Sequence, residues 1–361
     1  MEIDGNNIIS FCSNDYLGFA NHPKIKQTTI DAIRHYGVGS GSAHLVNGHS
    51  HAHHRLEEEL AEFSGYPRAL LFSTGYMANM GVCQALLNKD DYVFEDRLNH
   101  ASLIDGGLIS GARLQRYLHN DVDSLEKKLS KVAVSHEIEI EKLVLSDGVF
   151  SMDGDIADVP ALSSLCNRTD SWLMIDDAHG FGVLGKTGKG ILQHFSLDSD
   201  DVPIYMATLG KAIGTAGAFI AGSDDLIETI IQKARTYIYT TAMPAAIAEA
   251  TRCSLTLLQD EPQHLQNLNH NIEFFRKCCE QSGLIIEKSQ TAIQPLLIGD
   301  DEKTISISQQ LFEQGFLVTA IRPPTVPEGT SRLRITLSAK HTTEHIERLI
   351  LTLKKVLRQT V

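Results

Sequence analysis

Short apolar runs that each stop at a polar, chemistry-bearing turn narrow most sharply what this chain can become. Ala69-Leu70-Leu71-Phe72 gives way to Ser73-Thr74-Gly75-Tyr76, and Asp91-Tyr92-Val93-Phe94-Glu95 is followed closely by Asn99-His100. Leu143-Val144-Leu145-Ser146 leads to Asp147 and Ser151, Trp172-Leu173-Met174-Ile175 to Asp176-Asp177-Ala178-His179, and Ile204-Tyr205-Met206-Ala207 to Thr208-Leu209-Gly210-Lys211. Helical segments separate these runs through about residue 240. Strand-length runs alternating with helices predict an α/β domain with a mainly parallel sheet covered on both faces. Such sheets bind ligands beyond the carboxyl ends of their strands. Gly75, Tyr76, His100, Ser151, Asp176, His179, Thr208 and Lys211 are therefore expected along one edge.

The last run delivers a single lysine into a turn of small residues, with Gly210 before it and Gly214 and Gly217 after it. Loss of hydration at the end of a buried strand disfavours an ammonium, and a neutral amine can condense with an aldehyde. At Ser73-Thr74-Gly75-Tyr76 a strand breaks into a helix start, where unsatisfied N–H groups and the positive end of the helix dipole favour phosphate. An ordinary capped turn has the same residues. His100 reads equally as a structural histidine or as a flat surface for stacking.

The 361 residues exceed one ordinary core and predict a large domain with a smaller one. The expected division is an N-terminal segment over 1–36, a large domain over 37–243 and a small α+β domain over 244–361. In the last, helices are expected from Pro244 to about Leu258, from about Leu265 to Cys279 and near Ile305 to Glu313. A final helix carries Ile346, Leu349, Ile350, Leu353 and Leu357 on one face. Arg332-Leu333-Arg334-Ile335-Thr336-Leu337 alternates as a half-buried strand, and its arginines share a face. They are either solvated or able to grip a carboxylate. Lys and Arg number 32 against 45 acidic residues, and a net charge of −13 excludes nucleic acid or an anionic membrane as the main partner. Six scattered cysteines without a CxxC pair, and no apolar run of bilayer length, predict a cytoplasmic protein with reduced thiols.

Three motifs are set aside. The glycines of Gly37-Val38-Gly39-Ser40-Gly41 leave His44 where a dinucleotide fingerprint needs its third glycine, and no strand precedes them. His49, His51, His53 and His54 crowd the start of a helix, but no cysteine or well-spaced carboxylate is expected to complete a metal shell. Asp153-Gly154-Asp155 opens like a calcium loop and lacks its later ligands. No metal is expected.

Asp176-Asp177-Ala178-His179-Gly180 with Thr208-Leu209-Gly210-Lys211 closely resembles pyridoxal-phosphate enzymes of the aspartate-aminotransferase fold. Within them the chain is similar to the α-oxoamine synthases, which condense an amino acid with an acyl thioester and release carbon dioxide. The similarity extends over Ser13-Asn14-Asp15-Tyr16-Leu17-Gly18, Asn99-His100-Ala101-Ser102, Gly148 to Asp155 and Ala320 to Pro327. The resemblance implies that Lys211 condenses with the aldehyde of pyridoxal 5′-phosphate and that Asp176 pairs with its pyridine nitrogen. It also implies that His179 and Ser151 meet the ring hydroxyl, that His100 stacks on the ring, and that Gly75, Tyr76 and Thr208 hold the phosphate. Asn14, His100, Thr325 and Arg334 are the implied substrate residues. The stretch from Ala320 to Pro327 matches the branch that uses L-alanine and a pimeloyl thioester, and a homodimer is implied. Members of the family carry a further N-terminal helical segment, with an arginine for the distal carboxylate of the acyl group, before the strand that here begins near Ile3. That carboxylate is expected to find a different partner or weaker binding.

Overall fold

The computed structural model describes residues 2–132 and 140–359, and the chain divides into two compact units. The larger comprises Phe19–Phe150 and Ala157–Asp260, and the smaller Met1–Gly18, Ser151–Ile156 and Glu261–Val361.

In the larger unit the apolar runs become strands of one seven-stranded sheet. These are β1 (Arg68–Phe72), β2 (Tyr92–Asp96), β3 (Arg113–Tyr117), β4 (Lys142–Asp147), β5 (Trp172–Asp176), β6 (Ile204–Thr208) and β7 (Ala218–Gly222). Their spatial order is β1-β7-β6-β5-β4-β2-β3. β7 runs antiparallel to both neighbours, and every other pairing is parallel. Consecutive residues Leu143-Val144-Leu145 and Leu173-Met174-Ile175 are all buried, which requires cover on both faces. Burying one such Leu or Ile side chain contributes about 1.5–3 kcal/mol.

Helices supply that cover. They include α1 (Pro23–Tyr36), α2 (His51–Ser64), α3 (Gly75–Leu86), α4 (Ala101–Ser110) and α5 (Ala245–Asp260). α3 packs on α4, and α5 packs on both α1 and α2. That packing moves the expected boundaries: α5, assigned from sequence to the small domain, belongs to the larger unit, as does α1.

The smaller unit holds β8 (Ile293–Gly299), β9 (Phe316–Leu317), β10 (Thr319–Ile321) and β11 (Ser331–Thr336), with an antiparallel order β8-β11-β10. Ile9–Ser10 pairs in parallel with β9, and the Thr336 N–H bonds to Phe11 O at 2.7 Å. The first residues therefore join this unit instead of forming a separate segment. Residues 151–156 join it too, since the hydroxyls of Ser289 and Thr291 donate to Gly154 O at 2.8 and 3.0 Å. Helices α6 (Gln263–Ser282), α7 (Asp301–Glu313) and α8 (Thr343–Gln359) complete it. On α8 Val356, not Leu357, is the last buried position of the apolar face.

Candidate active site

The turns after β1, β2, β5 and β6 gather the expected chemistry within the larger unit. β6 ends at Thr208, and Lys211 follows in a turn closed by the Leu209 N–H to Gly217 O and the Gly214 N–H to Lys211 O, each 2.9 Å. Gly214 has φ of +72°, and a Cβ there would lie 2.5 Å from Ala20 N, so only glycine fits this approach. Lys211 itself is half-buried.

After β1, Thr74 caps α3 by accepting from the Met77 N–H at 3.2 Å, which leaves Gly75 and Tyr76 as the first helical residues. Their N–H groups lie in the turn that has no intrahelical acceptor. A Cβ on Gly75 would stand 2.8 Å from Thr208 Cγ2, so the helix start and the end of β6 face each other across a gap kept open by the missing side chain. Tyr76 is exposed, its hydroxyl donates to Asp105, and its ring meets that of His100 edge-on at 6.4 Å.

Asp176, at the end of β5, is buried. Its Oδ1 accepts from the Ala178 N–H at 3.0 Å and its Oδ2 from the Asn79 amide at 2.8 Å. Asn79 spends its second amide hydrogen on Ser102 Oγ, 2.8 Å away. Ser102 Oγ in turn lies 2.8 Å from His100 Nδ1, which also accepts from the Ser102 N–H at 3.2 Å. An Nδ1 that accepts a backbone N–H carries no proton, so His100 is neutral with its hydrogen on Nε2. Burial, and to a lesser degree the cationic Lys211, pushes His100 below the ordinary histidine range, and Asp176 opposes them. The result is a chain of hydrogen bonds linking His100 to the carboxylate of Asp176, with the Asn79 amide donating in both directions. His179 follows on the same turn and is buried.

Further carboxyl groups stand behind this chain. Asp147 accepts the His100 N–H at 2.8 Å, and burial followed by the charge of Asp176 raises it well above the carboxylate range. Asp177 accepts the Tyr205 hydroxyl at 2.7 Å and the Ile191 N–H at 2.8 Å. Burial pushes it up to about 7 against those two bonds. Of these three carboxyl groups, Asp176 is the one with described N–H donors at both oxygens.

Asn14, Ser151 and Arg334 come together in the smaller unit. Arg334 on β11 is buried and donates from Nε to Ser151 O at 2.6 Å, from Nη1 to Thr336 Oγ1 at 3.1 Å, and from both Nη atoms to Asn14 Oδ1 at 3.2 Å. Arg332 is buried as well and pairs with Asp153. The half-buried strand expected here is in fact buried along its length, because each arginine finds oxygen partners inside the fold. Thr325 is exposed in the turn after Arg322 and is not among the partners described for Arg334.

Asn79, Ser102, Asp147 and Asp177 were not singled out from sequence. Asn79 had a signal: it is a polar residue on the buried face of α3, between Ala78 and Val82.

The profile of the family aminotransferase class I and II matches residues 6–353. Among curated proteins, the 8-amino-7-oxononanoate synthase of Thioalkalivibrio sulfidiphilus is 57% identical over 356 residues, covering 99% of this chain and 90% of the relative. That of Saccharophagus degradans is 55% identical over 361 residues, with 99% and 90% covered. Among solved structures, a serine palmitoyltransferase from S. paucimobilis with bound PLP-myriocin superposes with a TM-score of 0.94 at 28% identity, covering 99% of this chain and 89% of that one. The 8-amino-7-oxononanoate synthase of Francisella tularensis superposes at 0.84 with 31% identity and 98% of each chain covered.

Proposed function

The chain belongs to the aminotransferase class I and II family, and from that premise we propose that it joins L-alanine to a pimeloyl thioester, giving 8-amino-7-oxononanoate, carbon dioxide and the free thiol carrier. It is a pyridoxal-phosphate-dependent acyltransferase of biotin biosynthesis. The donor set in the larger unit fits that cofactor: a buried carboxylate bonded at both oxygens, a neutral imidazole, a helix start opened by Gly75, and a half-buried lysine.

When bound, pyridoxal phosphate supplies an aldehyde for amines and a pyridinium ring that takes up the electron pair of a breaking Cα bond. In this reading Asp176 holds a proton on the pyridine nitrogen, because a carboxylate fixed by Asn79 and Ala178 stabilises the cation beside it. His100 would stack on the ring, and His179 and Ser151 would meet the ring hydroxyl. The N–H groups of Gly75 and Tyr76, with the Thr208 hydroxyl, would hold the phosphate. Lys211 Nζ removes the Cα proton of alanine. A bond forms between that carbon and the thioester carbonyl, the thiol leaves, the alanine carboxyl departs as carbon dioxide, and a proton returns to Cα. Asn14 and Arg334 address the amino-acid carboxylate, and Thr325 one wall of the acyl channel. A homodimer in the cytoplasm is the expected form. Among the described residues no helix is long and apolar enough to cross a membrane.

The observation that carries the substrate reading is the 54–57% identity to relatives of one name over 96–99% of the chain. A panel of alanine, glycine and serine against pimeloyl, acetyl, succinyl and palmitoyl thioesters tests it. Alanine with the pimeloyl thioester is expected to react fastest. Faster condensation of glycine or serine with another acyl group would replace the reading by that of a sister synthase.

A further inference from the structure

The turn before α2 and the first half of that helix collect imidazoles that the reaction does not use: His44, His49, His53 and His54, with Glu57 beside them. Their hydrogen bonds sort them. His53 is consumed by the fold, since its Nδ1 meets the Ser50 N–H at 3.0 Å and hydroxyl at 2.9 Å while its Nε2 lies 2.6 Å from Met243 O. His44 stacks on Tyr237 at 5.1 Å and places Nδ1 3.0 Å from His49 Nδ1. Its Nε2 is buried with no hydrogen-bond partner among the described residues. His49, bonded at Nδ1, turns Nε2 toward Glu57 Oε2, 3.8 Å away. Glu57 is likewise bonded at its other oxygen, where Oε1 accepts the Leu71 N–H at 3.0 Å. His54, three residues before Glu57 on the helix, adds another nitrogen. One ligand atom from each of His49, His54 and Glu57 lies within 4.8 Å of the others.

We propose that His49, His54 and Glu57 bind a divalent first-row metal ion of the zinc class. Neutral imidazole nitrogens and a carboxylate are the donors such ions take, and three protein ligands leave a position for water. Two donors on one tetrahedral zinc stand about 3.3 Å apart, so the 3.8 Å between His49 and Glu57 needs only a small side-chain adjustment. The exposed His54, whose Nε2 lies 3.4 Å from the likewise exposed Glu58 Oε1, has room to swing inward away from that surface contact. The outer partners are in place as well: His44 orients His49, and the Leu71 N–H orients Glu57, as second-layer groups do around metals. Glu57 is the carboxylate missing from the sequence reading. It stands in the run Glu57-Glu58-Glu59, and only its inward position distinguishes it from Glu58. The bound ion ties the turn carrying His49 to α2 and, through Glu57 and Leu71, to β1.

The test uses chelator-treated holoenzyme titrated calorimetrically with Zn2+, with Co2+ as a spectroscopic probe to the red of the cofactor. One ion per chain is expected, with cobalt bands indicating nitrogen and oxygen donors. His54→Ala and Glu57→Gln are each expected to weaken binding by more than about tenfold, and His44→Gln by roughly tenfold. His51→Ala, which removes an exposed imidazole from the same helical turn, is expected to leave it unchanged. Cofactor absorbance and thermal unfolding report folding, and the exposed His54 gives a variant that folds even where Glu57→Gln does not. Absence of saturable binding, wild-type affinity in His54→Ala, or loss of binding in His51→Ala overturns the proposal.

Discussion

Asn79 holds Asp176 and Ser102 with the two hydrogens of one amide, both at 2.8 Å, so the carboxylate after β5 and the imidazole after β2 are oriented by a single side chain from α3. Replacing Asn79 by Ala removes a hydrogen bond to a charged group, an effect of about 1.5–3 kcal/mol or roughly 10- to 150-fold. Turnover is expected to fall by that factor while cofactor content stays near normal, with a shift in the visible absorption of the bound cofactor. Unchanged turnover and absorption would show that Asp176 needs no such support.

Asp176→Asn separates anchoring from chemistry. The amide keeps the size and the Ala178 contact but cannot stabilise a protonated pyridine nitrogen. Retained cofactor with most of the turnover lost is the expected outcome, measured by absorbance and steady-state rate on the same preparation.

Borohydride treatment of the holoenzyme is expected to fix the cofactor to Lys211, the lysine held by the Gly210 to Gly217 turn. Peptide mapping by mass spectrometry checks this. Label on another lysine would remove Lys211 from its role.

Arg334→Ala is expected to weaken alanine binding by about 1.5–3 kcal/mol, the range for a charge-assisted hydrogen bond. The same variant removes the Arg334 Nε donor from Ser151 O and both guanidinium donors from Asn14 Oδ1, which keeps only the Tyr16 hydroxyl at 3.4 Å, so a lower melting temperature is expected to accompany it. Asn14→Ala keeps the guanidinium in place through Ser151 and Thr336. A rise in the alanine KM in Asn14→Ala without loss of stability separates binding from folding.

Glu95 gives the larger unit a pH dependence. Both of its carboxyl oxygens are buried without a hydrogen-bond partner among the described residues, and burial raises it to about 8 against the opposing Arg116. A carboxyl whose folded value lies above its unfolded value makes the native state bind more protons between the two. Stability from this group is therefore full below the unfolded value of 4.5 and declines as pH rises toward about 8. Glu95→Gln is expected to flatten that decline, raising the melting temperature at about pH 9 more than at about pH 5. An equal effect at both values would contradict it.

The strands, the lysine turn and the run from Asp176 to His179 were legible because each is written in contiguous residues. An apolar run ending in small or charged residues has few other ways to fold. What was not legible depends on partners distant in sequence. The neutral state of His100 is set by Ser102 and by Asn79, which lies on another helix. The N-terminal strand is placed by pairing with Phe316–Leu317, about which Ile9–Ser10 says nothing locally. The strand pattern left Arg332 and Arg334 open between solvation and a carboxylate, because Asp153, Ser151 and Asn14, which meet them, come from other parts of the chain.

β1 has a single described neighbour in its sheet, the antiparallel β7. During synthesis the strand that leads into the turn at Gly75 and Tyr76 thus emerges early and stays without a hydrogen-bonded strand partner in its sheet until residues 218–222 have left the ribosome. The remaining strands can zip together through β6 in the meantime. The turn at Gly75 and Tyr76 is consequently one of the last parts of this sheet to be fixed in place.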